Sequence, residues 1–328
     1  MRETWGRATP ALAIDPPAAT RAVATLPGSP AVLRVTPLAG GLANTCLRLD
    51  FADGRAPAVL RIHQRDPGAA PREAALHRHA LSLGLPVPAV LLEIPASIGL
   101  GGPALLLDHV AGTRGDVVLA AMDDAGAAAV GQQLGGLLAR LHAVHPGPVG
   151  LLGPDLRVAT PFSDADAGLA GFIDRCITHG RGAARLGPVL ADRLCAMIAT
   201  EARRQQPPDH PPSLVHGDMD PTNLLIGDDG RITAILDWEF ALSASPYVDL
   251  GHLLRPPLGD RPGFAAALAQ GYRQAGGRLP EDWSIKARLV DLTAWAEFLD
   301  RPSISDGLHR SARQHIARTI TIIAGATP

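Results

Sequence analysis

The chain has 328 residues, 46% of them hydrophobic and 19% charged, with a formal net charge of −2. This is enough apolar material for one large domain or two moderate ones. The near-neutral charge gives no electrostatic basis for a nucleic acid or an anionic membrane as partner.

Positive charge is nearly all arginine; Lys286 is the single lysine. Cys46, Cys176 and Cys195 are odd in number and widely spaced, with no CxxC, so neither a disulfide framework nor a zinc site is expected. Reduced thiols fit a cytoplasmic location. The first residues, "MRETWGRATPALAIDPPAA", lack the continuous apolar run of a signal peptide. No window offers about 18 uninterrupted apolar residues, so no membrane span is expected.

Residues 1–28, rich in Ala and Pro, read as a loosely held lead-in. Three β-prone runs follow at 31–36, 45–51 and 58–63. Gly40-Gly41 joins the first two and Asp53-Gly54 the second two, which predicts an antiparallel meander. "PREAALHRHALSLG" reads as a helix, with Pro71 in its first turn and Gly84 at its end. "PVPAVLLEI" and "GPALLLDHV" read as two further strands.

Beyond residue 110 the texture turns helical. In "DDAGAAAVGQQLGGLLARLHAVH", Val130, Leu134, Leu137, Leu138 and Leu141 fall on one side of a long helix. Helices are also expected near 165–179, 187–205 and in four segments after residue 247. A small, mostly β region therefore precedes a larger, mostly α one, an α+β arrangement.

Between them lies "LVHGDMDPTNLLIGDDGRITAILDWEF" (214–240). "GDDG" is a strong hairpin turn, so Asn223 and Asp237 should meet at one end of two paired strands, with Asp218 on the loop leading in. Two carboxylates and an amide carbonyl are hard oxygen donors that suit Mg²⁺ shared with phosphate. With the Asn and one Asp holding Mg²⁺, the other Asp facing a hydroxyl would complete the needs of phosphoryl transfer. A hydrolase with His216 and Asp218 as metal ligands lacks support, because His142, His145, His252 and His309 are scattered without ligand spacing.

"HGDMDPTN", then "ILDWEFA", then "SPYVDL" resembles the aminoglycoside phosphotransferase/choline kinase-like family, relatives of protein kinases; the resemblance covers roughly residues 30–325. It implies a bilobal protein-kinase-like fold, with a nucleotide-binding lobe at 29–109 and a catalytic, substrate-binding lobe at 110–328. It further implies Asp218 as base, Asn223 and Asp237 as Mg²⁺ ligands, and loop-bracing roles for His216 and Asp249. Arg61, on the third strand, would take the place of the usual lysine and pair with Glu73.

Gly40, Gly41, Asn44 and Thr45 would cover the nucleotide phosphates, and the backbone of Asp108, His109 and Val110 would meet the base. The donor would be ATP, with GTP equally compatible. Asp220 and Glu239 are possible contacts to the acceptor, a hydroxylated small molecule such as an antibiotic, sugar or amino alcohol. The mixed charge of 256–328 leans away from a polycation. The rival from another class is an inactive kinase-like module that binds nucleotide without turnover.

Overall fold

The computed structural model describes residues 10–38, 44–163, 168–204 and 210–326. Its first sheet has five strands: β1 (Val32–Pro37), β2 (Thr45–Phe51), β3 (Ala58–Ile62), β4 (Val90–Ile94) and β5 (Ala104–Asp108), ordered β1-β2-β3-β5-β4. All four pairings are antiparallel. Strand β2 alternates cleanly, with Thr45, Leu47, Leu49 and Phe51 buried and the residues between them half-buried. A period of two places one face on the core, which fixes the register.

The expectation of a loose lead-in is corrected for residues 10–28. Helix α1 (Pro16–Ala22) starts on an Asp15 cap whose carboxylate accepts the Ala18 N–H. Its Ala19 and Ala22, with Val23, join Leu47, Leu49 and Leu60 in one core cluster. Small alanines let this helix lie close against the sheet, a role that composition alone does not reveal.

Helix α2 (Ala69–Ser82) lies against the sheet and carries Glu73 inward among buried residues. After β5 the chain turns helical. Helix α3 (Gly115–Ala121) leads to α4 (Asp124–His142), whose Val130, Leu134, Leu137, Leu138 and Leu141 are all buried. Each large side chain so buried stabilises the fold by about 1.5–3 kcal/mol.

Helices α5 (Leu169–Asp174), α6 (Gly182–Leu186), α7 (Pro188–Arg204), α8 (Tyr247–Leu253), α9 (Phe264–Gln274), α10 (Trp283–Asp300) and α11 (Asp306–Ala326) complete the larger part. The stretch expected as one helix near 165–179 is a short α5 continued by a π-helical turn, Arg175–His179. Helices α4 and α9 meet backbone to backbone. A Cβ on Gly135 would stand 2.1 Å from the Leu268 carbonyl oxygen, and one on Gly271 would stand 1.9 Å from that of Gln132.

Seven short strands thread these helices: β6 (Thr113–Arg114), β7 (Gly150–Leu152), β8 (Val158–Pro161), β9 (Ser213–Val215), β10 (Leu224–Ile226), β11 (Ile232–Ile235) and β12 (Leu242–Ala244). They form two small sheets, β11-β10-β6 and β8-β7-β12-β9. The expected hairpin is β10–β11, closed where Gly227 N–H meets the Arg231 carbonyl at 2.8 Å. Among the described residues no helix is long and apolar enough to cross a membrane.

Candidate active site

The β10–β11 hairpin delivers its ends together: Leu224 pairs with Ile235, and the Leu236 N–H donates to the Asn223 carbonyl at 2.8 Å. Asn223 Nδ2 donates to the Asp218 backbone carbonyl at 2.8 Å and to its Oδ2 at 2.9 Å. With the amide nitrogen so used, the amide oxygen is the atom left for a ligand.

Asp237 adopts a left-handed backbone, φ 65°, ψ 64°. That conformation is sparsely populated for a non-glycine residue and needs support from its surroundings. Support comes from Trp238, fully buried, whose indole N–H donates to the Ile235 carbonyl at 3.1 Å. The loop carrying Asp218 is braced from below. Asp249 is fully buried and accepts the His216 N–H at 2.8 Å, the Gly217 N–H at 2.9 Å and a bond from His142 Nε2 at 3.1 Å.

Burial alone would raise the Asp249 pKa, but the bond and charge from His142 and the field of His216 hold it below its ordinary value. His216 Nε2 bonds the Leu236 carbonyl at 2.9 Å, and its ring meets Trp238 edge-on at 4.8 Å. Gly217 (φ +78°) is required here, since a Cβ would stand 2.2 Å from the Phe240 carbonyl oxygen.

Arg61, on β3, reaches across to this loop. Its Nη2 donates to Asp237 Oδ1 at 2.6 Å, and its Nε lies 2.9 Å from Glu73 Oε1, an ion pair without hydrogen-bond alignment. Glu73 also bonds His63 Nε2 at 2.7 Å. Burial opposes the Arg61 charge, yet Glu73 and Asp237 outweigh it and hold Arg61 well above its usual pKa. Burial likewise works against the Glu73 carboxylate, but Arg61 and His63 hold its pKa well below the usual range. This is a buried charged chain running from helix α2 through β3 to Asp237.

The other sequence candidates divide. Gly40 and Gly41 lie outside the described residues. Asn44 is buried, and its Nδ2 donates to Glu239 Oε2 at 2.8 Å while its Oδ1 accepts the Gln64 N–H at 3.1 Å. The Thr45 hydroxyl donates to Gln64 Oε1 at 2.5 Å and accepts the Leu12 N–H at 3.0 Å. Strand alternation puts Thr45 on the core face with Leu47.

Asp108 is tied to the neighbouring strand through both backbone and carboxylate: its N–H donates to the Ala89 carbonyl at 3.0 Å and its Oδ1 accepts the Ala89 N–H at 2.5 Å. His109 Nε2 lies 3.3 Å from Arg48 Nη1. The N–H groups of His109 and Val110 join no backbone hydrogen bond among the described residues.

Asp220 caps the turn Pro221–Asn223, its Oδ1 accepting both the Thr222 N–H at 2.9 Å and the Thr222 hydroxyl at 2.7 Å. Glu239 is largely buried. Desolvation first, and the Asp237 charge second, push its pKa above the usual carboxylate value.

Beside Asp218 opens a cavity of about 1000 Å³, with Gly217, Asp218 and Glu239 in its wall. Asp220 is not among its lining residues. Sequence reasoning missed the polar cluster at its floor. Asp291, 1% exposed, bonds Arg255 Nη2 at 2.6 Å and Trp295 Nε1 at 3.0 Å, and lies 2.8 Å from His315 Nε2. The Asp291–Trp295 spacing of four was visible within one helix; Arg255, on a different segment, gave no local signal.

Comparison with known proteins follows this geometry. The aminoglycoside phosphotransferase APH(4)-Ia, solved as a thermostable mutant with ADP and hygromycin B, superposes with a TM-score of 0.63 at 21% identity, covering 91% of this chain and 96% of that one. The GDP complex of aminoglycoside 2'-phosphotransferase-IIIa gives a TM-score of 0.69 at 17% identity, covering 94% and 100%. Macrolide 2'-phosphotransferase type I gives 0.62 at 18% identity, covering 94% and 99%.

At these identities the likeness is one of fold, the α+β kinase-like fold of these enzymes. An uncharacterized protein of Bacillus subtilis (strain 168), YcbJ, is 42% identical over 67 residues, which is 20% of this chain and 21% of that protein. Residues 34–283 match the phosphotransferase enzyme family as a whole, and the chain belongs to that family.

Proposed function

We propose that the protein transfers the γ-phosphoryl group of Mg·ATP to a hydroxyl of a small molecule, with GTP as an alternative donor. The observation that carries this is the cluster at the hairpin end: Asp218 joined to Asn223 at 2.9 Å, and Asp237 joined to Arg61 at 2.6 Å. Asn223 and Asp237 fit a magnesium ion by their chemistry. Both present hard oxygens, the Asn223 amide oxygen being left over once its nitrogen bonds Asp218. Two protein ligands suit a cation that keeps water and shares phosphate oxygens. Bound there, magnesium supplies charge neutralisation at the transferred group.

Asp218 orients the acceptor hydroxyl and takes its proton, with Asn223 holding the carboxylate in place. Arg61, fixed by Glu73, presents its guanidinium to phosphate oxygens. The free N–H groups of His109 and Val110 follow β5, where a base edge would bond. Glu239 and Asn44 link the first sheet to the Asp237 loop. Relatives in fold that carry ADP or GDP, two aminoglycoside phosphotransferases, support a nucleotide-dependent kinase.

The test is phosphorus NMR of the protein with Mg·ATP and a panel of hydroxylated compounds. A new phosphate-monoester signal that requires magnesium is expected. Tight nucleotide binding without ester formation or nucleotide turnover would favour the inactive-module reading instead.

A further inference from the structure

The cavity beside Asp218 carries a chemical description of its occupant. Its wall includes Leu151, Phe162, Phe172, Phe240, Val290 and Phe298. Its volume of about 1000 Å³ lies at the upper end of small-molecule sites.

Its carboxylates are already engaged. Asp66 lies 3.7 Å from Arg72, Asp291 2.6 Å from Arg255, and Glu297 2.9 Å from Arg301, while Glu239 accepts from Asn44 at 2.8 Å. Asp218 is held by Asn223 at 2.9 Å. Four arginines, Arg65, Arg72, Arg175 and Arg255, share the lining. A polycation placed here would give up water for aromatic walls and find three of the five lining carboxylates already paired with arginine, an unfavourable exchange.

Arg255 adds a fixed donor. Its Nε and Nη2 both bond Asp291 Oδ1, at 2.9 and 2.6 Å, and its guanidinium lies 4.9 Å above the Trp295 ring. Arg255 is a lining residue of the cavity, and its Nη1 is in neither of these bonds to Asp291. A guanidinium held this way binds an oxygen acceptor with little loss of freedom.

We propose that the acceptor is a bulky, apolar alcohol, neutral or anionic, with an oxygen function that Arg255 binds, and not a polyamino sugar; this rests on the phosphotransferase reading above. The apolar body fills the aromatic wall, Arg255 fixes its far end, and one hydroxyl comes to Asp218.

The test reads binding alone, without nucleotide, so its failure is separate from a failure of phosphoryl transfer. The probe is 8-anilinonaphthalene-1-sulfonate, an apolar anion whose fluorescence rises in such a site, added to the full chain under native conditions. Saturable one-site binding is expected, displaced by the hydroxylated steroid acid cholate at least tenfold more strongly than by the polyamino sugar kanamycin. Leu151→Glu, at a lining position 48% exposed and so tolerant of charge, should weaken probe binding at least tenfold with an unchanged melting temperature. Arg255→Lys keeps the charge facing Asp291 but loses the fork, and should weaken cholate several-fold.

Displacement by kanamycin stronger than by cholate, absence of one-site binding, or probe binding indifferent to Leu151→Glu would overturn the proposal. If the probe results hold while Asp218→Asn leaves phosphoryl transfer intact, the catalytic reading falls and the binding class stands.

Discussion

Around Arg61 the molecule concentrates charge: Glu73 and Asp237 both pair with its guanidinium, His63 bonds Glu73, and Glu73 is 1% exposed. In the cavity beside Asp218, around Phe172 and Phe298, the walls are apolar and the carboxylates of Asp291 and Glu297 stand paired with Arg255 and Arg301. The first region is specified by electrostatics in a buried setting, where removing one partner strands another. The second is specified by shape and apolar area, where single changes redirect what fits and leave the fold standing. A phosphotransferase needs both, because phosphate chemistry is common to the reaction whereas the acceptor is not.

Breaking the charged region should have the largest effect. Glu73→Ala leaves Arg61 buried with only Asp237 as a close partner, and should destabilise the protein by about 3–5 kcal/mol in denaturant unfolding. Asp218→Asn should act on rate without acting on the fold, with a loss of about 10²–10⁴-fold in turnover at an unchanged melting temperature.

Acid should expose the next layer. Burial, then the charge of Arg255, lowers the His252 pKa from 6.5 to about 4. The unfolded chain therefore takes up a proton that the folded chain refuses, and stability falls as pH drops from about 6.5 toward 4. At pH 5 the loss from this residue is about 2 kcal/mol. His252→Gln should flatten that part of a melting-versus-pH curve. Glu73 and Asp249, held below their ordinary values, contribute stability that is present above the usual carboxylate range and is lost at still lower pH. The smallest effect belongs to the exposed pair Arg301–Glu297, where Arg301→Ala should change stability by less than about 1 kcal/mol.

The hairpin that presents Asn223 and Asp237 was legible in the sequence because it is local, whereas Arg61 joins Asp237 from 176 positions away. The turn at 227–230 sets the hairpin, the hairpin sets Asn223 beside Asp237, and both follow from residues within 25 positions of one another. Strand β2 was readable at both ends because its alternation is strict and its neighbours are turn residues. The lead-in helix was not, since Ala and Pro composition looks the same in a loose tail and in a helix pressed on a sheet. The short strands β6, β7, β8 and β12 are two to four residues long, too few for a period to emerge.

Asp291 counts among the mixed charges of 256–328 in the sequence; its partner, Arg255, lies 36 positions away and is joined to it only by the packing of α8 on α10.

The account rests most heavily on Asp218 as the base of a magnesium-dependent transfer. Its most direct test is nucleotide turnover by the purified wild-type chain and by Asp218→Asn, measured side by side with Mg·ATP and an acceptor that the wild type phosphorylates. The variant should bind nucleotide with wild-type affinity, melt at the wild-type temperature and turn over at least a hundredfold more slowly. Wild-type turnover in a correctly folded Asp218→Asn would contradict it.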